Sequence, residues 1–433
     1  MHEPSSDDLI QWVLDARRRT QALVADLDDV QLLGPRLAIV NPPLWEIGHV
    51  AWFQDKWVLR HAAGRPPLRD DGDALYDSAA IPHDDRWDLP LPSRAATLAY
   101  LQAACDAVVE RLGRGPLSDE ERYFVQLTVF HEDMHGEALA YTRQTLGYPT
   151  PSWMRLEDGS AADTGGLAGD ARVGGGEYRV GANPDDGGFV FDNEKWAHPV
   201  RLRPFRIARA AVTQAEFARF VDAGGYQRSE LWSPAGWTWR CAHDARHPVY
   251  WRRTEGTPTG WERRVFDRWI PLEPHRPMLH VNWYEADAFC RWAGRRLPTE
   301  AEWEVAASTL PGDARRRRYP WGDAAPTAER AQLGGLSAVA APVAACAAGE
   351  SGWGCRGMLG GAWEWCSDDF LPYPGFVADP YKEYSAPWFG THKVLRGGCF
   401  VTQPRLLRNT WRNFYTPDRR DVWAGFRTCA LDA

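Results

Sequence analysis

His131-Glu132-Asp133-Met134-His135-Gly136-Glu137 sets two imidazoles four residues apart in a run that reads as helix. Residues at i and i+4 are neighbours on one helix face, so both rings can reach a single metal ion. The helix is predicted to start at Ser118, where Glu121 completes a capping box. It passes through Phe124 and Leu127 to Leu146, and Gly147 stops it. A second helix, expected from about Leu44 to Arg60 after Pro42-Pro43, carries His49 within the apolar run Trp45-Glu46-Ile47-Gly48-His49-Val50-Ala51-Trp52-Phe53. Two more complete the set: one capped by Asp7 or Asp8 and running past Leu9, Ile10, Val13 and Leu14 toward Leu27, the other beginning near Ser93. Histidines on the second and fourth of four helices suggest a bundle with an inward-facing metal site. Three imidazoles without an obvious fourth protein ligand describe an open site, and that points to metal-dependent chemistry. His49 taken alone is undecided between ligand and core packing. Glu137 is expected to orient a ligand from behind, a solvated helix glutamate being the alternative.

Two domains are the default for 433 residues. With 44% apolar and 25% charged residues the composition is that of an ordinary globular protein. The net charge of -8 argues against a nucleic-acid partner. No apolar run approaches the length of a membrane span, and the first residues, Met1-His2-Glu3-Pro4-Ser5-Ser6, lack the basic start and apolar core of a signal peptide. Eight cysteines without CxxC pairs suggest neither a zinc ribbon nor a disulfide scaffold. A cytoplasmic, thiol-reduced enzyme is expected. Most of the 23 tryptophans lie after Trp232 and are read as packing in a loop-rich core, a few as candidates for lining a cation pocket.

The expected organisation is a helical domain over 1–150, a Pro-, Gly- and Ala-rich linker over 151–173, and a second domain over 174–433. The second domain reads as irregular α+β with two clear helices, Thr213 to Ala223 and Trp283 to Ala293. The arginine cluster 315–318 reads as a solvated loop.

Eight motifs follow one another along the second domain: Gly174-Gly175-Gly176-Glu177-Tyr178-Arg179-Val180-Gly181, Val212-Thr213-Gln214-Ala215-Glu216-Phe217, His280-Val281-Asn282-Trp283-Tyr284-Glu285-Ala286, Arg296-Leu297-Pro298-Thr299-Glu300-Ala301-Glu302-Trp303-Glu304, Tyr319-Pro320-Trp321-Gly322, Trp363-Glu364-Trp365, Arg396-Gly397-Gly398 and Gly425-Phe426-Arg427. In this order they resemble the formylglycine-generating-enzyme fold, a C-type-lectin-like α+β domain. The copper-holding cysteine pair of those enzymes has no counterpart, because Thr402 and Leu407 stand at about those places and Cys399 is alone. The amino-terminal half, with His49, His131 and His135, looks like the four-helix DinB-like domain.

Together the halves resemble the non-heme iron sulfoxide synthases of ergothioneine and ovothiol biosynthesis. The resemblance implies iron(II) held by His49, His131 and His135, dioxygen as co-substrate, and oxidative coupling of hercynine at imidazole C2 to a thiol. Free positions on such an iron centre can hold the imidazole, the donor and dioxygen together. Selenoneine synthases share the architecture and use a selenium donor. In the glutamylcysteine-using branch a Gln stands where this chain has Met134, and an Asp where it has Tyr415. The stretches Phe130-His131-Glu132-Asp133-Met134-His135-Gly136-Glu137-Ala138 and Tyr141-Thr142-Arg143-Gln144 look most like the selenoneine branch. By the same resemblance Tyr381 supplies the catalytic hydroxyl, with Tyr373 in reserve, and Tyr384 orients hercynine. Asn413 can bond hercynine's carboxylate, and Phe414 or Tyr415 can face its quaternary ammonium. Arg419 and Arg420 suit a polar or anionic donor, structural salt bridges being the alternative, and Arg86 is a further candidate. The active site is expected between the domains. An ergothioneine-pathway synthase using cysteine or another thiol is the nearest alternative. A zincin with Glu132 as general base and a non-catalytic lectin-like binding protein are more distant ones.

Overall fold

The computed structural model describes residues 3–156, 164–313 and 315–431. It divides into two compact units. One takes the chain up to Trp153 together with Asp186–Phe189, and the other takes Met154–Asp185 and the chain from Val190 onward. Among the described residues no helix is long and apolar enough to cross a membrane.

The first unit is helical: α1 (Ser6–Val24), α2 (Asp29–Leu33), α3 (Pro43–Gln54), α4 (Gly72–Tyr76), α5 (Arg94–Leu112) and α6 (Asp119–Leu146). The four long helices start where local chemistry places them. Ser5 and Ser118 close capping boxes with Asp8 and Glu121, Ser93 accepts from the Ala96 N–H, and Pro43 opens α3 at a position where a missing N–H costs nothing. Gly147 ends α6 in the left-handed region, φ 66°. Eleven of the twelve residues of α3 are buried, Glu46, His49 and Gln54 among them, so this helix lies inside the bundle. It packs on α5 and α6, and α1 packs on the same two. Beyond α3 the chain does not stay α-helical to Arg60 as expected. Asp55–Ala62 form a π-helix, a wider spiral that is rare and often found next to functional sites. The short α2 and α4 were not foreseen.

The second unit holds α7 (Gln214–Asp222), α8 (Pro234–Ala242), α9 (Trp283–Trp292) and α10 (Glu300–Ser308) among short strands. The expectation of two helices is therefore too low. The missed α8 and α10 both carry legible starts: Pro234 at the first position after Ser233, and the Thr299/Glu302 capping box. Strands β1 (Asp170–Val173), β2 (Gly176–Val180), β3 (His198–Leu202) and β4 (Phe205–Ala208) precede α7. Then come β5 (Trp251–Arg253), β6 (Trp261–Val265), β7 (Arg268–Pro271), β8 (Arg295–Arg296), β9 (Trp363–Asp369), β10 (Lys393–Arg396), β11 (Arg412–Tyr415), β12 (Ala424–Gly425) and β13 (Cys429–Ala430). They form four small sheets, ordered β1-β4-β13-β8, β11-β10-β9-β12, β2-β3 and β5-β6-β7. Strand β1 lies inside the stretch read as linker, because its pairing with β4, Asp170 opposite Ala208, ties it to the sheet. Part of that stretch, 157–163, lies outside the described residues.

Two other readings change here. The arginines 315–318 are only partly a solvated loop: Arg315 is exposed, but the Arg316 side chain is covered, donating to the Gly181 carbonyl and pairing with Glu304, and Arg317 donates to the Thr309 carbonyl. Tyr373, the reserve catalytic hydroxyl, is buried beneath the Arg412 guanidinium with its hydroxyl 3.4 Å from Glu300. A phenol used in this way is part of the core.

Candidate metal centre

Helices α3 and α6 bring His49, His131 and His135 together with one ring nitrogen of each within 4.8 Å of the others. The Nε2 atoms of His49 and His131 are 3.3 Å apart, and those of His135 and His131 are 3.1 Å apart. Two nitrogens each about 2.1 Å from a first-row ion such as zinc and on adjacent coordination positions are separated by distances of this size. On His49 and His135 the other ring nitrogen is already engaged in a way that aims Nε2 inward. His49 Nδ1 lies 2.8 Å from the Tyr76 carbonyl, and His135 Nδ1 lies 2.5 Å from Glu46 Oε1. The His131 ring is stacked on Phe53, 3.6 Å between centroids and 6° from parallel. The donor set and its orientation fit a metal ion.

Gly48 makes the Tyr76 contact possible. A Cβ there would fall 2.3 Å from the Tyr76 ring, so only glycine lets this segment approach α3 closely enough for its carbonyl to reach His49. Burial lowers the pKa of His49 and of His131 well below the ordinary histidine value, and the positive field of His135 adds to it. Both rings are thereby held neutral near pH 7, the form a ligand needs. For Glu46, burial works to raise the carboxyl. The charge and hydrogen bond of His135 overcome this, with help from Asn41 and Arg86, and its pKa ends below the usual range.

Glu46 is thus a carboxylate that stands behind one of the three histidines. A signal for it lies in the sequence, since Glu46 stands three residues before His49 on the same helix face, within an otherwise apolar run. Arg86 is tied into the same unit: it donates to Asn41 Oδ1 at 2.6 Å and its guanidinium lies 4.1 Å over the Trp45 ring. Glu132 is no general base. Arg17 holds both its oxygens, at 2.9 and 3.1 Å, and Gln54 shares the pair, so this carboxylate ties α1 to α6 and the zincin reading fails. Met134 lies on α6 one residue before His135 and is partly exposed.

The remaining candidates belong to the second unit, where alternation along β11 sorts them. Successive strand residues face opposite ways. Phe414 stacks on Phe370 at 4.1 Å and meets Tyr384 edge-on at 5.9 Å. Tyr384 stacks on Phe191, with Tyr381 6.3 Å away. Burial pushes the Tyr384 hydroxyl far above its ordinary pKa. Tyr381, Tyr384 and Phe414 are therefore one aromatic group. Asn413 and Tyr415 lie on the other face of the strand, with Arg419 5.1 Å over the Tyr415 ring. Arg419 grips Asp421 through two 2.7 Å bonds, so the salt-bridge alternative describes it. Arg420 turns elsewhere, over Trp239. All eight cysteines are free thiols, and Cys399, next to Thr402, is buried.

Comparison with known proteins agrees with this architecture. Residues 13–139 match the DinB superfamily, and residues 160–432 match the sulfatase-modifying factor enzyme 1-like domain. The hercynine oxygenase of Mycolicibacterium thermoresistibile is 38% identical over 98% of this chain and 95% of its own length. That of Mycobacterium tuberculosis is 37% identical over 98% of both. A formylglycine-generating enzyme of Streptomyces coelicolor is 35% identical over 66% of this chain and 96% of its own. A DinB-like helical domain followed by a formylglycine-generating-enzyme-like domain, each matched over nearly its whole length, places the chain in the ergothioneine- and ovothiol-type enzyme family to which the hercynine oxygenases belong.

Proposed function

We propose that the protein is an iron(II)- and dioxygen-dependent oxidoreductase that joins a chalcogen to C2 of the hercynine imidazole, with a selenosugar as donor. The observation that carries the reading is the convergence of three inward-aimed imidazoles within 4.8 Å, in a chain whose full-length relatives are named hercynine oxygenases. Neutral imidazoles suit iron(II) among other ions. When bound, iron supplies the electrons that activate dioxygen. The protein's own groups do the rest. Tyr381 Oη donates a proton or hydrogen atom, Tyr384 orients hercynine, and Phe414, in the same aromatic group, faces the trimethylammonium.

The donor side rests on Tyr415, Arg420 and Met134. Arg419 is already neutralised by Asp421, which favours a hydroxyl-rich neutral donor over an acidic peptide. Losing a charge-assisted contact costs roughly 1.5–3 kcal/mol, so glutamylcysteine is expected to be poorer by about 10- to 150-fold. The test is mass spectrometry of products from hercynine with selenosugar, cysteine and glutamylcysteine offered separately and in competition. Selenosugar should dominate. A higher kcat/KM with glutamylcysteine would make the chain an ergothioneine-type sulfoxide synthase, and iron-loaded protein yielding no product with any donor would leave only a binding role. Tyr381→Phe should keep iron and slow product formation by about 10²- to 10⁴-fold. An unchanged rate would remove Tyr381 from the chemistry.

A further inference from the structure

The three histidines are not equivalent, and the difference lies behind them. His49 is backed by a neutral carbonyl, that of Tyr76, whereas His135 is backed by a carboxylate, Glu46. The three-histidine cluster contains no acid of its own, and Glu132 on the same helix is held by Arg17. A carboxylate as buried as Glu46, at 4% exposure, is costly unless it is matched by charge or hydrogen bonds. It is matched here from two sides. His135 bonds one oxygen, and Asn41, itself held by Arg86, bonds the carboxylate from behind. Arg86 has a second arm: its guanidinium covers Trp45, whose ring lies 4.9 Å from His49 and 10° from parallel. One arginine thus backs two of the three rings, His135 through Asn41 and Glu46, and His49 through Trp45.

We propose that Glu46 and Arg86 are positioning residues of the metal centre: Glu46 holds the Nδ1 proton of His135 so that Nε2 faces the ion, and adds the negative charge that three neutral imidazoles lack, while Arg86 anchors Glu46 and Trp45. Arg86 then acts on the metal and not as a grip for the donor. A carboxylate behind a ligating histidine raises the basicity of the ring, and its loss typically costs 10- to 100-fold in metal affinity or activity.

The inference rests on the metal reading of the three histidines, and one experiment separates the two. Iron(II) affinity is measured anaerobically by chelator competition, with neither hercynine nor donor present, for wild type, Glu46→Gln, Glu46→Ala and Arg86→Gln. Glu46→Gln keeps an acceptor for Nδ1–H and loses the charge, so affinity should fall about 10-fold and the iron midpoint potential should rise. Glu46→Ala should approach the 100-fold end, and Arg86→Gln should weaken iron about 10-fold. Helicity by circular dichroism confirms folding, and the Gln variant carries the test should the Ala variant unfold. A wild type that failed to bind iron would sink the metal reading itself. An iron-binding wild type whose Glu46→Gln and Arg86→Gln variants kept its affinity within about twofold would overturn this inference alone. So would an Arg86→Gln effect confined to the KM of the donor.

Discussion

The two units solve the same problem, holding polar groups in an apolar interior, by different means. In the helical unit the backbone satisfies itself along each helix, and buried polar side chains mainly tie helices and their ends together, as in the Arg17–Glu132–Gln54 set, Arg143 with Asp26, and the groups around the histidines. The second unit has strands of two to seven residues joined by long irregular segments, so many backbone groups lack a ladder partner and side chains must supply one. Fully buried arginines do this. Arg396 joins Glu300 and Glu304 at 2.7 Å each, while Glu304 accepts the Gly181 N–H. Arg412 adds a second cation to Glu300 and donates to the Asn193 and Leu371 carbonyls. Arg427 clamps Glu364 at 2.6 and 2.8 Å. In one unit, helices free the polar side chains for a ligand set; in the other, the polar side chains are absorbed in holding the loops.

This contrast can be broken at its strongest point first. His131 is the nitrogen shared by both short contacts in the cluster. His131→Ala should remove most bound iron and product formation while leaving the near-ultraviolet dichroism of the tryptophan-rich unit unchanged. Full iron occupancy by elemental analysis would mean that the helices do not present the ligand set described here. The next effect is on stability. Arg396→Ala takes from the wholly buried Glu304 its 2.7 Å partner and leaves it only the looser Arg316 contact at 3.5 Å, and breaking a buried pair costs about 3–5 kcal/mol. Calorimetry should show the transition of the second unit falling and the helical transition holding. An equal fall in both would erase the distinction. The smallest effect sharpens it by pH. His280 is buried, and burial, then the charge of Arg263, depresses its pKa from 6.5 to about 3. A base with a depressed folded-state pKa contributes stability that is fully present above the unfolded value and is lost as pH falls toward the folded one. About 2 kcal/mol should therefore be gone by pH 5. His280→Asn, which tolerates the positive φ of 60° at this position, should flatten that part of the curve for the second unit. A slope identical to wild type between pH 7 and 5 would show that His280 does not titrate in the native interior.

Legibility followed the same division. The start of α5 and both ends of α6 were readable because Ser93, Ser118, Glu121 and Gly147 act within one turn of chain, whereas α1 is capped by Ser5 and not by Asp7 or Asp8, which fall in its first turn. The i, i+4 pair His131 and His135 was readable for the same reason. The π-helix at Asp55–Ala62 was not, since its residues have ordinary helical propensity and only packing selects the wider spiral. In the second unit α10 could have been found from Thr299 and Glu302. The burial of Arg316 could not, because its partners Gly181 and Glu304 come from distant parts of the chain. For β11 the alternation of Asn413, Phe414 and Tyr415 was open to a reader who had identified the strand. Its identity depended on pairing with β10.

By itself the sequence determined what short-range chemistry controls: the starts of α3, α5 and α6 and the stop of α6, the shared face of His131 and His135, the two-part organisation, and the order of motifs that names the family. Tertiary structure alone decided which acid stands behind which histidine. Glu46 and Glu137 are equally good carboxylates in a linear reading, and Glu46 is chosen because α3 and α6 cross where its oxygen meets His135 Nδ1, 89 residues away. It likewise decided that Arg419 is spent on Asp421 and Arg86 on Asn41. Charge and spacing say that an arginine can bind something. Which partner it finds depends on distances between segments, and those exist only once the chain has folded.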